Sequence, residues 1–427
     1  MAIPDRRAGL SARTAAHVRE ALDGRRSGLR ILLPLAGPAV VVSVAYMDPG
    51  NIATNLQAGA GYGYTLIWVV LFANLVAMLF QAMSARVGLA TGASLAKLCA
   101  RHFPRPVVIA MWMVSEVAAM ATDLAEFLGG AIALSLLAGL PLIAGMGVTA
   151  ALTWILLLMQ ARGFRPLELA IGALVGVIAV AYLAQLFIVP LQWRPLLLGA
   201  FVPTIIDNQA LLIAVGIVGA TVMPHALFLH SGLTGERVTP LTEADRRKLM
   251  RYSNVEVVIA LGVAGLVNMT MVAMAAGAFH RGYPQIAEIE TAYHTLTPLF
   301  GAMAAGLFLT SLMASGISSS VVGTMAGQLI MSDFLGFAVP LWVRRLVTML
   351  PSFVVVALGL DATRALIISQ VVLSLAVPLP MIALIIFACR TKTLGQYRLG
   401  RLMTVLAVAS ALAVIGLNVV LVFNTLF

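Results

Sequence analysis

Asp48-Pro49-Gly50-Asn51, inside an apolar run at 31–58, and Met223-Pro224-His225, inside another at 209–232, decide how this sequence folds. In an α-helix the carbonyl of residue i accepts from the N–H of residue i+4, and proline has none. Pro49 therefore leaves the Ala45 carbonyl without its helical partner, and Pro224 does the same to Ala220. In hydrocarbon an unsatisfied carbonyl costs several kcal/mol, so a neighbouring helix, a water or a cation has to meet each oxygen.

The chain around these two breaks is membrane material. Of its 427 residues 61% are apolar and 10% charged, against roughly 25% charged in a soluble domain. That excludes an ordinary soluble enzyme. Beyond a tail at 1–30, apolar segments lie at 31–58, 64–85, 106–138, 141–160, 166–190, 209–232, 253–279, 297–325, 338–360, 364–389 and 402–425. At ~20 residues per span they predict eleven transmembrane helices in one all-α domain at 31–427. Nothing alternates like a barrel strand. The tail holds seven arginines and three acids, which makes a poor signal peptide, and Asp5, Glu20 and Asp23 argue against an Arg-rich presequence.

The formal charge of +10 suggests nucleic acid in a soluble protein, but in a membrane protein Lys and Arg collect on the cytoplasmic side. With the N-terminus placed in the cytoplasm, 24 of the 27 basic residues fall on the inner side, and Arg194, Arg281 and Arg364 fall outside. The charge is mostly topology, the expected location is the cell membrane, and no nucleic-acid partner is needed. Cys99 and Cys389 cannot build a disulfide framework or a zinc site; both are expected to be packing residues.

The two breaks are five helices apart. Five is odd, so helices 1 to 5 return as 6 to 10 in inverted topology, and paired interrupted helices point to a site at the bilayer midplane. The expected repeats are 31–190 and 209–389, with an extra helix at 402–425.

Beside the bared carbonyls stand Asp48 and Asn51, with Gly50 between them to permit an unwound turn. Across the pseudo-repeat stands Met223. A carboxylate, an amide oxygen, one or two carbonyls and a thioether suit Mn²⁺ or Fe²⁺ better than Mg²⁺ or Ca²⁺, which gain little from sulfur. Taken singly, a membrane proline is more often a kink and a methionine more often filler. An ionisable residue within a span is functional by default, and Asp48 is one.

Further motifs carry a resemblance. DPGN at 48–51, GATVMPHALFLHSG at 219–232, ATDLAEFLGGAIAL at 121–134, ASGISSSVVGTMAGQ at 314–328 and SQVVLSL at 369–375 are together similar to the natural resistance-associated macrophage protein family, from about residue 30 to the end. The resemblance implies proton-coupled divalent metal transport on the inverted-repeat fold of amino-acid/sodium symporters. It implies metal ligation by Asp48, Asn51, the Ala220 carbonyl and Met223, with the Ala45 carbonyl and Gln370 joining in other conformations. Many relatives have Asn after the MPH triplet where this chain has Ala226, which touches a polar contact there but none of these ligands. Members that carry Mg²⁺ depart from the DPGN and Met pattern, which this chain keeps.

The third span holds Glu116, Asp123 and Glu126. Spacings of 7 and 10 at 100° per residue put them within about 80° of one another, so they share a face, as a proton relay or an ion-pair ladder does. Arg344 and Arg345, at the start of the ninth span, read by themselves as interfacial anchors that snorkel; the resemblance implies that they pair with the third-helix acids. His225 follows the break directly and is a candidate proton carrier. His230 lies about 140° farther round, and Glu256, near the start of the seventh span, reads as interfacial. The small residues from Ala314 to Gly327 are expected to pack helices closely. No phosphate-binding glycine loop is present, which argues against nucleotide-driven pumping. The expected partners are divalent metal ions, protons and lipid, with no cofactor; the alternative is a same-fold symporter of an organic amine or amino acid.

Overall fold

The computed structural model describes residues 37–159, 164–237, 242–282, 288–337 and 339–426. The tail at 1–30, the first residues of the expected first span and Arg162 lie outside the described residues.

The described residues form helices and connecting turns, and no strand occurs among them. In chain order these are α1 (Pro38–Ser43), a 3₁₀ turn (Val44–Met47), α2 (Pro49–Tyr62), α3 (Ile67–Thr91), α4 (Leu95–His102), α5 (Arg105–Ala138), α6 (Leu142–Met159), α7 (Phe164–Ile188), α8 (Trp193–Phe201), α9 (Asn208–Thr221) and α10 (Pro224–Arg237). There follow α11 (Glu243–Phe279), α12 (Ile289–Leu335), α13 (Leu341–Ala357), α14 (Ala362–Ala376), α15 (Pro378–Cys389), the single turn α16 (Thr391–Leu394) and α17 (Arg401–Leu426).

Nine helices or joined helix pairs among the described residues are long and apolar enough to cross a membrane. The two expected spans outside that set are the split pair α1 and α2, and α13, which is 17 residues long and carries two adjacent arginines at its fourth and fifth positions. Phe187 is 92% exposed and Leu402 70%, whereas Asp48, Asn51 and Ser320 are fully buried. This inside-out distribution places the apolar exterior in lipid, and the chain is a multi-pass membrane protein.

Both expected breaks are present. Asp48 is extended (φ −70°, ψ 166°) between the 3₁₀ turn and α2, and Val222 (φ −100°, ψ 56°) ends α9 before Met223 and Pro224 restart the helix. Three boundaries differ from expectation. The helix carrying the seventh span begins at Glu243, ten residues early, because Thr242 caps it by accepting from Asp245 N. The eighth span is cut at Gly301, whose φ of 86° is closed to most side chains, so the long inner stretch starts after it and runs on to Leu335. The tenth span, expected as one helix, is two, joined at Val377 before Pro378.

Close approach of α5 to α12 rests on small residues, as expected. A Cβ on Gly316 would lie 2.8 Å from Gly130 N, and one on Gly323 3.1 Å from the Glu126 carboxylate. Cys99 is buried and Cys389 half-buried, and both are free thiols. Burial pushes the Cys99 thiol up to about 12, so it stays protonated in its packing role.

Candidate metal centre

Asp48 ends the 3₁₀ turn because Pro49 cannot continue it, and its side chain then caps α2. Oδ1 accepts from Asn51 N at 2.8 Å and from Asn51 Nδ2 at 2.7 Å. The amide of Asn51 also crosses to the second break, donating to Ala220 O at 2.9 Å. The carbonyl bared by Pro224 is thus met by a side chain from the other broken helix. Thr221 Oγ1 donates to Asn51 Oδ1 at 3.4 Å.

Met223, three residues beyond Ala220, is fully buried, and Ala45 is 2% exposed. Gln370 lies against the unwound turn: a Cβ on Gly50 would fall 1.9 Å from its Nε2, which donates to Ser369 Oγ. Asp48 Oδ2 and Gln370 Oε1 are buried without a hydrogen-bond partner among the described residues. The two broken helices therefore bring Asp48, Asn51 and Ala220 into direct contact, with Gln370 against Gly50. No group of three or more His, Cys, Asp or Glu able to hold a metal occurs among the described residues. The donor set here carries one negative charge.

The other carbonyls of the first break are met by residues whose partners sequence reasoning missed. Asn268 Nδ2 donates to Tyr46 O at 2.7 Å, and Ser315 Oγ to Met47 O at 2.5 Å. Ser315 belongs to the small-residue stretch read as packing alone. Asn268 is an amide inside an apolar span, a signal available in the sequence.

Beside this centre, α5 presents its acids to α12 and α13. Arg344 Nη2 is 3.4 Å from Glu116 Oε2, and its Nη1 donates to Thr324 O. Arg345 donates to Ser320 O and Oγ and to Thr324 Oγ1, and its guanidinium stands 5.0 Å from the Phe127 ring centre. Asp123 and Glu126 act on Arg345 electrostatically, and Glu126 is buried with Oε2 unpartnered among the described residues. The arginines do not snorkel: Arg344 is 5% exposed and Arg345 3%, because α12 supplies hydroxyls and carbonyls that satisfy them inside the bundle.

His225 is buried, its Nδ1 3.4 Å from Thr122 Oγ1, with Nε2 unpartnered among the described residues. It joins the second break to α5, at the residue that precedes Asp123. His230 is set in a different network, with Nδ1 2.8 Å from Gln81 Oε1, while Gln81 Nε2 donates to Tyr46 OH at 2.6 Å. Glu256 is turned into the bundle. It is buried, and its Oε1 accepts from Gly37 N at 2.6 Å and Ala39 N at 3.0 Å, capping α1 from another helix. At the opposite end of the bundle, Asp207 caps α9 by accepting from Ala210 N and takes a hydrogen bond from Tyr62 OH. Those two donors hold its carboxyl below the usual carboxylate range.

Known proteins share this fold. The family described as natural resistance-associated macrophage protein-like matches residues 39–424. A protein of Verminephrobacter eiseniae named divalent metal cation transporter MntH is 64% identical over 413 residues, covering 97% of this chain and 94% of its own. Its namesake from Deinococcus radiodurans is 49% identical over 421 residues, covering 98% and 95%. The crystal structure of the Eremococcus coleocola manganese transporter in complex with an aromatic bis-isothiourea compound superposes with a TM-score of 0.84 at 31% identity, covering 92% of this chain and 88% of that one. MhsT in complex with L-phenylalanine, at 13% identity and a TM-score of 0.57, covers 89% and 98% and shares the fold alone. The two MntH relatives and the Eremococcus protein are named transporters, not enzymes, and the fold is that of an inverted-repeat transporter with discontinuous first and sixth helices. With a family match across nearly its whole length, the chain belongs to the natural resistance-associated macrophage protein family.

Proposed function

We propose that this protein imports Mn²⁺, with Fe²⁺ and related divalent transition metals, by proton symport through alternating access. The observation that carries the reading is the buried Asp48 carboxylate, one oxygen unpartnered among the described residues, bridged by Asn51 to the bared Ala220 carbonyl. The names of the relatives and of the solved manganese transporter support the substrate class.

The Asn51 amide donates to two acceptors, Asp48 Oδ1 and Ala220 O, which is the work a cation does. An arriving ion takes over those oxygens, and a turn of the amide brings Asn51 Oδ1 to the ion in place of Nδ2. Met223 supplies the soft donor that favours Mn²⁺ and Fe²⁺ over Ca²⁺ and Mg²⁺. Ala45 O and Gln370 Oε1 join as the helices move. One carboxylate holds the ion without trapping it.

Metal at Asp48 favours its ionised form, so a proton there is driven off. His225, Glu116, Asp123, Glu126, Arg344 and Arg345 form the route by which it leaves, with the arginines keeping the acids paired. The N-terminus faces the cytoplasm across the cell membrane, and the two repeats occupy 31–190 and 209–389, with 402–425 outside them.

Proteoliposomes test the reading. Mn²⁺ uptake accompanied by acidification of the lumen supports it; uptake that leaves lumenal pH unchanged overturns the symport. The second reading, an organic amine facing Asp48, requires that amines compete with Mn²⁺ for uptake.

A further inference from the structure

The transport route above makes no use of Glu256, yet this carboxylate reaches 219 residues along the chain to the first N–H groups of α1. The same helix, α11, also grips the other end of that segment through Asn268 Nδ2 and Tyr46 O. Twelve residues of α11 cover about 18 Å, and the six α-helical and four 3₁₀ residues of Pro38–Met47 cover about 17 Å. The helix is a rail matched in length to the segment, with a carboxylate at one end and an amide at the other. Every residue from Val41 to Met47 is buried, so the segment itself seals the side of the metal centre it lies on. Immediately beyond it the backbone is extended at Asp48, where the 3₁₀ turn gives way to α2.

We propose that Glu256 is the latch that keeps Pro38–Met47 seated, so that losing it unseats the end of the segment farthest from Asp48. The geometry favours Glu256 over Asn268 as the latch: it grips the end farthest from Asp48, where a lost bond gives the largest displacement. Its bonds are charge-assisted N–H···O⁻ contacts, stronger than neutral ones and removable by one substitution. Glu256 is thus a positioning residue that touches no metal.

The test places a single thiol at position 43 (Ser43→Cys with Cys99→Ser and Cys389→Ser) in nanodiscs without metal, and measures its reaction with a membrane-impermeant maleimide. Ser43 is 2% exposed, so the thiol reacts slowly while the latch holds. Glu256→Ala accelerates labelling by about tenfold or more, and Glu256→Gln by a smaller factor because an uncharged oxygen still accepts. A control thiol in α3 (Ala77→Cys), also buried, keeps its rate. The latch is overturned if position 43 labels at the parent rate in both Glu256 variants, or if positions 43 and 77 accelerate together, which marks general loosening. Because labelling needs no metal, a parent protein that fails to take up Mn²⁺ sinks the transport reading and leaves the latch result legible.

Discussion

The two helix breaks arise from one device, a proline four residues beyond a carbonyl, yet they end in different chemistry. At the first, Asp48 is extended and brings a carboxylate, and Asn268 and Ser315 take up the freed Tyr46 and Met47 carbonyls. At the second, Val222 and Met223 bring no charge, and the Ala220 carbonyl is met by the Asn51 amide reaching across. The first break supplies charge on a backbone that its neighbours hold; the second supplies a dipole and a sulfur atom. The difference teaches that a break is a place for chemistry, while the residue standing in the unwound turn decides which chemistry.

Removing the charge gives the largest effect. Asp48→Ala takes away the sole carboxylate at the two breaks, and Mn²⁺ uptake in proteoliposomes falls to that of empty vesicles; residual saturable uptake would mean that the second break binds metal unaided. Met223→Ala strikes the other side more gently. Some Mn²⁺ transport persists while preference over Ca²⁺ narrows by about tenfold, near 1.4 kcal/mol, and a competition series with an unchanged profile refutes the sulfur filter.

Asp123→Asn leaves both breaks intact and lowers proton flux per metal, read with a lumenal pH dye. Flux equal to the parent's removes Asp123 from the route. Packing around the breaks is sharpened by two glycines. A Cβ on Gly219 meets Gln370 O at 2.0 Å, and one on Gly129 meets Pro49 Cβ at 2.1 Å. Each alanine substitution costs about 1–3 kcal/mol, with Gly219→Ala the worse because it strikes backbone; thermal unfolding in detergent ranks them.

The smallest effect lies outside the breaks. The Asp207 carboxyl is held below its ordinary value, so its contribution is present above the unfolded carboxylate range and fades as pH falls through the folded value. The melting temperature of Asp207→Asn therefore lies below the parent's at pH 7 and converges with it in acid. A gap independent of pH would assign the difference to something other than ionisation.

Much of the centre was legible because its causes are local. Proline removes a donor at a known offset, and an aspartate three residues before Asn51 is placed to cap the helix that restarts there. Hydropathy over twenty residues marks a span. Arg344 and Arg345 were not legible as buried groups, since their burial depends on Ser320 and Thr324 of α12 lying opposite. Glu256 carried the same signal as Asp48, an acid within an apolar span, but its target is an N-terminus more than two hundred residues away.

From the sequence by itself come the membrane class, the two breaks, the bared Ala45 and Ala220 carbonyls and the shared face of Glu116, Asp123 and Glu126. All of these follow from interactions within a few residues along the chain. Tertiary structure alone decided that Asn51 bridges both breaks, that the arginines lie inside, and that α11 holds the Pro38–Met47 segment at both ends. Those outcomes depend on which helices pack together, and packing is set by the whole bundle.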